Sequence, residues 1–308
     1  MKIAIIGAAG SVGAPAAFYL ASKGLADEVV LIGGSRQNVL QQHAMDLATA
    51  LSSRDVQIYA GDFRDLPGCR VIINAAGAAQ GQIADRMELL PKNLAIIAGL
   101  ATQIREHCPE AIVITATNPV DPLNYATWRI TGFDRRQIIG YSLNDSFRFR
   151  ELIAANCHVP VSTVAGIVIG EHGSTQVPLF SSVRIDDRPV AISAEIKRAI
   201  HQAIPQILSR YEALQAGRTA GWTCAIGLEQ IVAAITGESE AIFPCSTILD
   251  GEYGVRDTSM SVPVVLGPSG IERIVECELA EDEQAMLQRT VDTLQRANGT
   301  VRDFLQTR

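Results

Sequence analysis

The sequence predicts an α/β protein in which a doubly wound parallel sheet is followed by a mixed α+β domain. In the first half, short runs rich in Val, Ile and Ala alternate with helical patterns, and each run is bounded by Gly, Pro, Asp or Asn. Such runs are typical of strands that are buried on both faces of a parallel sheet. After about residue 140 the alternation stops without a linker. We therefore predict a first domain over residues 1–140 and a second over residues 141–308.

The predicted elements of the first half follow the order that parallel strands and crossover helices require. The strands are residues 2–6, 28–32, 55–59, 70–75 and 111–115, and the helices are residues 11–23, 37–51, 86–107 and 119–130. In the second half we predict helices over residues 145–156, 193–216, 223–236 and 281–305, and strands over residues 161–169, 241–249, 262–266 and 271–275. Short strands at 183–185 and 189–191 flank Asp186-Asp187, which indicates a hairpin.

Composition and charge exclude several classes of protein. The 26 Lys and Arg residues against 33 Asp and Glu give a net charge of −7, and no basic run offers a surface for nucleic acid. No stretch approaches the roughly 18 uninterrupted apolar residues of a membrane span. The first residues indicate a buried strand and a glycine turn rather than a signal peptide. The six scattered cysteines favour reduced thiols in a cytoplasmic protein and predict no metal site.

A glycine-rich turn follows the first predicted strand and opens a helix. Gly7, Gly10 and Gly13 have GxxGxxG spacing, with Ser11 and Val12 between the last two glycines. Small residues let the backbone turn tightly and approach a pyrophosphate, which the free N–H groups of the helix N-terminus then bind. The strand–turn–helix context predicts a Rossmann dinucleotide site.

The end of the second strand bears on which nicotinamide cofactor is bound. An NAD site usually has Asp or Glu here to bind the ribose 2′-hydroxyl, but this strand ends in Gly33-Gly34, followed by Ser35 and Arg36. A hydroxyl and a guanidinium suit a 2′-phosphate, so NADP is favoured over NAD. Alternatively, Arg36 is a solvated loop residue and the site accepts either cofactor.

Short-chain reductases also begin with GxxGxxG, but they need a Tyr-xxx-Lys pair near the nicotinamide. The matching pair here, Tyr19 and Lys23, lies on the first helix, directly behind the glycine turn. It cannot reach the other end of the cofactor, so we interpret it as a chance match.

Four further segments, in order along the chain, resemble the lactate/malate dehydrogenase family. Residues 75–93 are similar to the family's mobile active-site loop and the helix behind it. Thr117-Asn118-Pro119-Val120-Asp121 is similar to its TNPVD turn. Residues 144–150 (NDSFRFR) resemble its LDSxRFR segment, and residues 169–174 (IGEHGS) resemble its GEHGD segment. The resemblance covers nearly the whole chain and implies a nicotinamide-dependent L-2-hydroxy-acid dehydrogenase.

The chemistry of that reaction requires a base, a cation for the substrate carboxylate and a donor for the C2 oxygen. Among five histidines, only His172 lies in a Gly-flanked turn just after a predicted buried strand. Asp145 and Arg148 are three residues apart and share a helix face. The resemblance implies that His172 relays the proton, that Asp145 orients it and that Arg148 binds the carboxylate.

The resemblance also assigns roles to residues of the loop and of the TNPVD turn. Arg86 is the loop cation that polarises the C2 oxygen and contacts the substrate. Asn118 fixes the geometry of the substrate hydroxyl and the nicotinamide, and Asn93 belongs to the cofactor site. On sequence alone, Arg86 is also compatible with an ordinary helix residue, and Asn118 with a plain Asn-Pro turn.

The substrate is expected to be set six residues before Arg86, where malate-type members place Arg and lactate-type members Gln. This chain has Gln80. A second substrate carboxylate would remain unpaired there, so a monocarboxylic 2-oxo acid is favoured, with oxaloacetate/malate as the alternative. Departures at residues 81–85, at Ser174 and at Trp222, which aligns near a small pocket position, could reshape the pocket.

Two other classes remain open on sequence alone. A nicotinamide-dependent glycosidase on a related fold would need a metal, for which the adjacent Cys157-His158 is a candidate pair at a helix end. A non-catalytic dinucleotide sensor would not require the ordered set of charged residues. The family resemblance implies a homodimer or homotetramer, with helices 37–51 and 223–236 as candidate contacts.

Overall fold

The computed structural model describes residues 1–34, 36–78, 86–214, 220–237 and 241–307. Within these ranges the strands, in chain order, are β1 (Lys2–Ile6), β2 (Glu28–Ile32), β3 (Gln57–Gly61), β4 (Val71–Asn74), β5 (Ile112–Thr115), β6 (Ile138–Tyr141), β7 (Val164–Ala165), β8 (Val168–Ile169), β9 (Val177–Pro178), β10 (Arg184–Ile185), β11 (Arg188–Pro189), β12 (Ile242–Asp250), β13 (Arg256–Gly267) and β14 (Gly270–Ile274). The helices are α1 (Gly13–Ser22), α2 (Gln37–Ala50), α3 (Leu90–His107), α4 (Val120–Thr131), α5 (Leu143–Cys157), α6 (Ala194–Ala213), α7 (Gly221–Thr236) and α8 (Glu281–Gln306).

One large sheet runs through the described part of the chain in the order β14-β13-β12-β6-β5-β4-β1-β2-β3. The six strands from β6 to β3 are parallel, and β12, β13 and β14 extend the sheet in antiparallel fashion from β6. The α/β class with a doubly wound N-terminal sheet is therefore confirmed. The strand order reverses between β1 and β4, and ligands of open α/β sheets bind at such a reversal.

Among the predicted parallel strands, β1, β2, β4 and β5 are buried on both faces, as their apolar runs predicted, whereas the edge strand β3 is mostly half-buried. Ile3 and Ile5 of β1 pack into the core cluster on one face, whereas Ala4 and Ile6 pack into the cluster on the other. Alternate side chains of a strand point to opposite faces, so an unbroken apolar run fills both layers. Each fully buried Ile contributes roughly 1.5–3 kcal/mol relative to an exposed one.

Several elements differ from the predicted ones. β12 pairs with β6, so the large sheet continues across residues 140 and 141. Residues 161–169 form no single long strand: a short 3-10 helix (Val161–Thr163) leads into β7, which is separate from β8. β6 was not predicted, although β4 and β5 are equally short, because Gly140 interrupts its apolar run after Ile138 and Ile139. The hairpin at Asp186-Asp187 is present, with φ values of 49° and 60° at these two residues.

The fold brings the candidate site residues to one edge of the sheet. The glycine turn follows β1, residues 75–78 follow β4, the Thr117-Asn118 turn follows β5, and α5 follows β6. The carboxyl ends of parallel strands lie together, so segments far apart in sequence meet there. Among the described helices, none has the length and apolar character needed to cross a membrane.

Candidate active site

The glycine turn is built for close backbone contact. Gly7 has a φ of 85°, and a Cβ placed on it would lie 2.6 Å from the backbone nitrogen of Ala76. A Cβ on Gly13 would lie 2.6 Å from the carbonyl oxygen of Gly7. Val12 precedes α1 without a side-chain cap. The backbone N–H of Ala14 donates to the carbonyl of Gly10 (3.2 Å) and Pro15 has no N–H, so the N–H groups that a ligand can use are those of residues 11–13. A tight turn with open helix N–H groups fits the pyrophosphate of a dinucleotide.

The end of β2 holds no acidic side chain, and Gly33 packs closely against Leu40. A Cβ on Gly33 would lie 2.7 Å from Cδ1 of Leu40, which is fully buried. The side-chain amide of Gln37 donates to the carbonyl oxygens of Gly33 (3.0 Å) and Gly34 (3.1 Å). Arg36 follows as an exposed residue just before α2. Ser35 lies outside the described residues.

Asn93 and Asn118 connect three of the loops at the sheet edge. Oδ1 of the buried Asn93 accepts a hydrogen bond from the backbone of Ala78 (2.7 Å), and its Nδ2 donates to the carbonyl of Asn118 (2.6 Å). Asn93 thus supports the loops, and its predicted cofactor contact stays a prediction. Oδ1 of Asn118, which precedes a cis peptide to Pro119, is buried without a hydrogen-bond partner among the described residues. A buried polar atom normally has a partner, so this acceptor fits a bound cofactor or substrate.

His172 and Asp145 form the centre of the candidate site. Nδ1 of His172 lies 2.5 Å from Oδ2 of Asp145, and both side chains are almost fully buried. Asp145 lies in the first turn of α5, and His172 lies in the turn after β8. A carboxylate only accepts hydrogen bonds, so Nδ1 carries the proton in this contact. The other ring nitrogen, Nε2, is therefore the one available to a substrate.

Two arginines approach this pair from different elements. Nη1 of Arg148 lies 3.4 Å from Oδ1 of Asp145, the oxygen that does not contact His172. Nη1 of Arg86 donates to the backbone carbonyl of His172 at 3.0 Å. Arg86 begins a short 3-10 helix (Arg86–Leu89) that leads into α3, whereas Arg148 lies on α5. The structure therefore brings together the four charged residues that the sequence singled out.

Burial and the arginines determine the charge states of the pair. Burial lowers the pKa of His172, and the positive charges of Arg86 and Arg148 lower it further against the attraction of Asp145. Burial alone would raise the pKa of Asp145, but His172 and the two arginines outweigh it, and the pKa is lowered. The free site thus holds an ionised Asp145 beside a neutral imidazole, which can accept or relay a proton near neutral pH.

Two buried acids beside His172 had no role in the sequence analysis. Asp121 accepts a hydrogen bond from the backbone N–H of His172 at 2.7 Å. Glu171 accepts from the backbone N–H of Thr175 at 2.9 Å. Asp121 lies in the TNPVD-like segment and Glu171 in the GEHGD-like segment. The signal that could have identified them is an acidic residue within a motif that is otherwise expected to be buried. Sequence alone does not show that their carboxyl groups face the backbone of the catalytic turn.

A second polar group missed by sequence reasoning lies beside α5. The hydroxyl of Tyr141 donates to Oδ1 of Asn144 (2.6 Å), and Nδ2 of Asn144 lies 3.2 Å from Sγ of Cys224. Burial raises the pKa of Cys224, so the thiol stays protonated at neutral pH. Asn144 stands where the family segment has Leu, and this departure was the signal in the sequence.

The remaining predictions for the substrate pocket and for the Tyr19–Lys23 pair have different outcomes. Gln80 and residues 81–85 lie outside the described residues, so the specificity prediction stays a prediction. The Trp222 side chain is 78% exposed and therefore does not fill a closed pocket. Lys23 stacks on the ring of Tyr19 along α1, away from the carboxyl ends of the strands.

The remaining expectations concern metals and cysteines. Within the described ranges, no group of three or more His, Cys, Asp or Glu residues could hold a metal ion. Cys157 ends α5, and His158 follows it with a φ of 55°. All six cysteines are described and free of disulfides, four of them buried.

Comparisons with known proteins match this geometry along the whole chain. A model of the lactate/malate dehydrogenase NAD binding domain matches residues 1–140, and a model of the lactate/malate dehydrogenase alpha/beta C-terminal domain matches residues 143–305. The chain is 32% identical over 296 residues to a malate dehydrogenase of Halobacterium salinarum, covering 95% of this chain and 97% of that protein. It is 33% identical over 301 residues to L-lactate dehydrogenase 1 of Staphylococcus aureus, covering 95% and 94%. A crystal structure of lactate dehydrogenase from Cryptosporidium parvum, complexed with lactic acid and β-nicotinamide adenine dinucleotide, superposes with a TM-score of 0.92 at 28% identity, covering 97% of each chain.

Proposed function

This chain belongs to the lactate/malate dehydrogenase family, and we propose that it interconverts a lactate-like L-2-hydroxy acid and its 2-oxo acid with NADP or NAD. The observation that carries the proposal is the buried His172–Asp145 pair with Arg86 and Arg148 beside it. These residues supply the proton relay and the cations that the reaction requires.

In the proposed complex, the substrate carboxylate pairs with the guanidinium of Arg148, whose planar fork matches two carboxylate oxygens. The C2 oxygen then faces Nε2 of His172 and the guanidinium of Arg86. When bound in the glycine turn, the nicotinamide cofactor supplies or accepts the hydride at C2. Asn118 offers a buried acceptor to orient the nicotinamide or the substrate hydroxyl.

His172 moves the proton in both directions. During reduction, the Nε2–H bond breaks as the new O–H bond forms on the C2 oxygen, and the imidazole becomes neutral. During oxidation, Nε2 takes the hydroxyl proton, and the ionised Asp145 stabilises the resulting imidazolium. Arg86 stabilises the negative charge that develops on the C2 oxygen in the buried site.

We propose that NADP is accepted at least as well as NAD. Gly33 and Gly34 stand where an acidic partner of the ribose 2′-hydroxyl is usual, so that partner is missing. Arg36 is exposed shortly after this point, and we assign it to a 2′-phosphate. The coarser conclusion, a nicotinamide cofactor, follows from family membership.

For the substrate, we propose a monocarboxylic 2-oxo acid such as pyruvate. Within the described part of the chain, Arg86 and Arg148 are the cations that lower the pKa values of both His172 and Asp145, and we assign them to the C2 oxygen and the first carboxylate. Because Gln80 is uncharged, a second carboxylate of the substrate would be left without a cation at the specificity position, which costs several kcal/mol. Malate is the second candidate, because relatives of similar identity carry the malate name.

We also propose that the enzyme works as a homodimer or homotetramer. Large apolar side chains are exposed on α1, α2 and α7, namely Phe18 (42%), Met45 (74%), Trp222 (78%) and Ile226 (40%). Exposed apolar groups on packed helices are typical of subunit contacts. These include both helices that the sequence analysis named as candidates.

The proposal is tested by NADH and NADPH oxidation with pyruvate, 2-oxobutyrate, 2-oxoisocaproate and oxaloacetate. We expect turnover with one or more of the three monocarboxylates and a higher kcat/KM for them than for oxaloacetate. A preference for oxaloacetate would replace the lactate-like assignment by malate. Absence of turnover with all four acids and both cofactors would contradict the dehydrogenase assignment.

A further inference from the structure

We propose that Asp121 is a positioning residue for the reaction: it fixes the backbone of the turn that carries His172, and Ser246 fixes Asp121 in turn. This inference rests on the proposed role of His172 as the proton relay. Asp121 itself touches neither substrate nor cofactor and acts through the main chain.

The contacts of Asp121 join three elements that are distant in sequence. Asp121 lies in the first turn of α4 and is 1% exposed. Its Oδ2 accepts from the backbone N–H of His172 at 2.7 Å, and its Oδ1 accepts from the hydroxyl of Ser246, on β12, at 2.6 Å. Both oxygens therefore have fixed partners, and any displacement of the carboxyl group moves the turn that presents the imidazole.

A layer of small polar side chains lies beneath this carboxyl group. Oγ of Ser246 lies 2.9 Å from Oγ of Ser259, and either hydroxyl can be the donor. Nδ2 of Asn124 donates to Oγ of Ser259 at 3.0 Å. The hydroxyls can therefore reverse their direction, so that Ser246 donates to an ionised Asp121 or accepts from a protonated one. The layer keeps Asp121 in place in either state.

The opposite side of the catalytic turn is held separately. Oε2 of Glu171 accepts from the backbone N–H of Thr175 at 2.9 Å and from its hydroxyl at 2.5 Å. A Cβ on Gly173 would lie 2.3 Å from Oε1 of Glu171, so the turn closes tightly around this carboxylate. The backbone N–H of His172 donates to Asp121, whereas these two bonds of Glu171 come from Thr175, which distinguishes the two acids.

The environment of Asp121 makes its ionisation relevant at neutral pH. Burial raises its pKa to about 7, against the hydrogen bonds from Ser246 and His172, and Glu171 and Asp145 raise it further by repulsion. These two acids face it from the catalytic turn and from α5, whereas β12 and β13 present the hydroxyls of Ser246 and Ser259. A neutral Asp121 still accepts from His172 but loses the stronger charge-assisted bond.

The kinetic test compares Asp121→Ala and Asp121→Asn with Thr127→Val. Thr127 is equally buried on the same helix, and its hydroxyl donates only to the carbonyl of Leu123 (2.8 Å). We expect Asp121→Ala to lower kcat by about tenfold to a hundredfold, the loss typical of a misplaced catalytic group, with little change in cofactor KM. Asp121→Asn keeps an acceptor and should restore most of kcat. It should also remove a neutral-pH inflection from the kcat profile that Thr127→Val retains.

A substrate-free measurement separates this inference from the proposed function. The backbone amide of His172 is followed by NMR as a function of pH in the native protein, in Asp121→Asn and in Thr127→Val. We expect its proton shift to titrate near neutral pH in the native protein and in Thr127→Val. In Asp121→Asn the step near pH 7 that comes from Asp121 should disappear, and only the step of the His172 ring, whose pKa burial lowers, should remain.

The outcomes of the two tests are distinguishable. If Asp121→Ala does not fold, the Asp121→Asn profile and the NMR titration decide. An His172 amide that titrates identically in all three proteins would overturn the inference, as would a folded Asp121→Ala with the kcat of Thr127→Val. If the enzyme turns over none of the oxo acids but the amide titrates as expected, the proposed function fails and the contact stands.

Discussion

The reaction centre and the end of β2 are built in opposite ways. At the reaction centre, His172 and Asp145 are about 5% and 4% exposed and are contacted by groups from the short helix before α3, from α4 and from α5. At the end of β2, Gly34 and Arg36 are exposed, and the side chain that bonds this segment, Gln37, donates to the backbone carbonyls of Gly33 and Gly34. The reaction centre is therefore buried and charged, whereas the end of β2 is largely exposed to solvent.

This difference separates what fixes the reaction from what selects its partners. Buried charged groups cost several kcal/mol when a partner is lost, so the chemistry of the His172 region tolerates little change. Exposed charge pairs contribute about 0–1 kcal/mol, so the β2 end can exchange one cofactor for another through few substitutions. Large effects are therefore expected from variants of the first region and small, selective ones from the second.

The largest effect is expected for His172→Asn. The variant loses the proton relay, so kcat should fall by about a hundredfold to ten-thousandfold, while cofactor binding is retained. His201→Asn is the control. His201 lies on α6 and packs against Phe180, so it does not belong to the group of His172, Asp145, Arg86 and Arg148. Fluorescence titration with NADH and steady-state kinetics check both parts. Near-normal turnover in His172→Asn would contradict the assignment.

A smaller effect, confined to substrate choice, is expected for Gln80→Arg. An added guanidinium would pair the second carboxylate of a dicarboxylic acid. We expect the ratio of kcat/KM for oxaloacetate to that for pyruvate to rise at least about tenfold, which corresponds to about 1.4 kcal/mol. An unchanged ratio would show that the specificity of this chain lies elsewhere.

Arg36→Ala tests the exposed region directly. An exposed charge pair is worth up to about 1 kcal/mol, so KM for NADPH should rise about fivefold while KM for NADH stays constant. Arg54→Ala, another exposed arginine of the N-terminal half, serves as the control. If the unmodified enzyme prefers NADH a hundredfold, the 2′-phosphate interpretation is wrong.

The smallest effect on chemistry is expected at the apolar surface. Met45→Glu places a charge on an apolar side chain that is 74% exposed, so it should weaken subunit association without altering the reaction centre. Light scattering after gel filtration should show a shift toward the monomer, whereas Gln288→Glu on α8 should not. An unchanged mass for Met45→Glu would remove α2 from the subunit contact.

Much of the N-terminal half could be predicted from sequence because its signals are local. Apolar runs gave β1 and β2 with correct ends, and the glycine spacing located the turn after β1. The continuation of the sheet through β12 could not be predicted, because antiparallel pairing with β6 depends on contacts between residues about a hundred positions apart.

The site shows the same limit. Order and spacing along the chain singled out His172, Asp145, Arg148 and Arg86, and the fold brings them together. Asp121 lies in the TNPVD-like segment, but the sequence assigned it no role. Only the fold shows that its carboxyl group accepts a hydrogen bond from the backbone N–H of His172. The cofactor role of Asn93 stays a prediction, and the fold adds that both of its polar groups bond to backbone. Local pattern thus identifies residue types, whereas mutual orientation requires the fold.

The central claim is that His172 relays the proton, and its pH dependence tests this most directly. kcat/KM is measured for pyruvate with NADPH and for lactate with NADP, or for the preferred pair, from about pH 5 to about pH 9. Reduction needs protonated His172, so kcat/KM for the oxo acid should fall about tenfold per pH unit above the pKa of His172. Oxidation needs the neutral ring, so kcat/KM for the hydroxy acid should fall about tenfold per pH unit below the same pKa. Because burial, Arg86 and Arg148 lower the pKa of His172, that shared value should lie below the ordinary 6.5. Profiles that are flat, or that fall on the same side in both directions, would contradict the account.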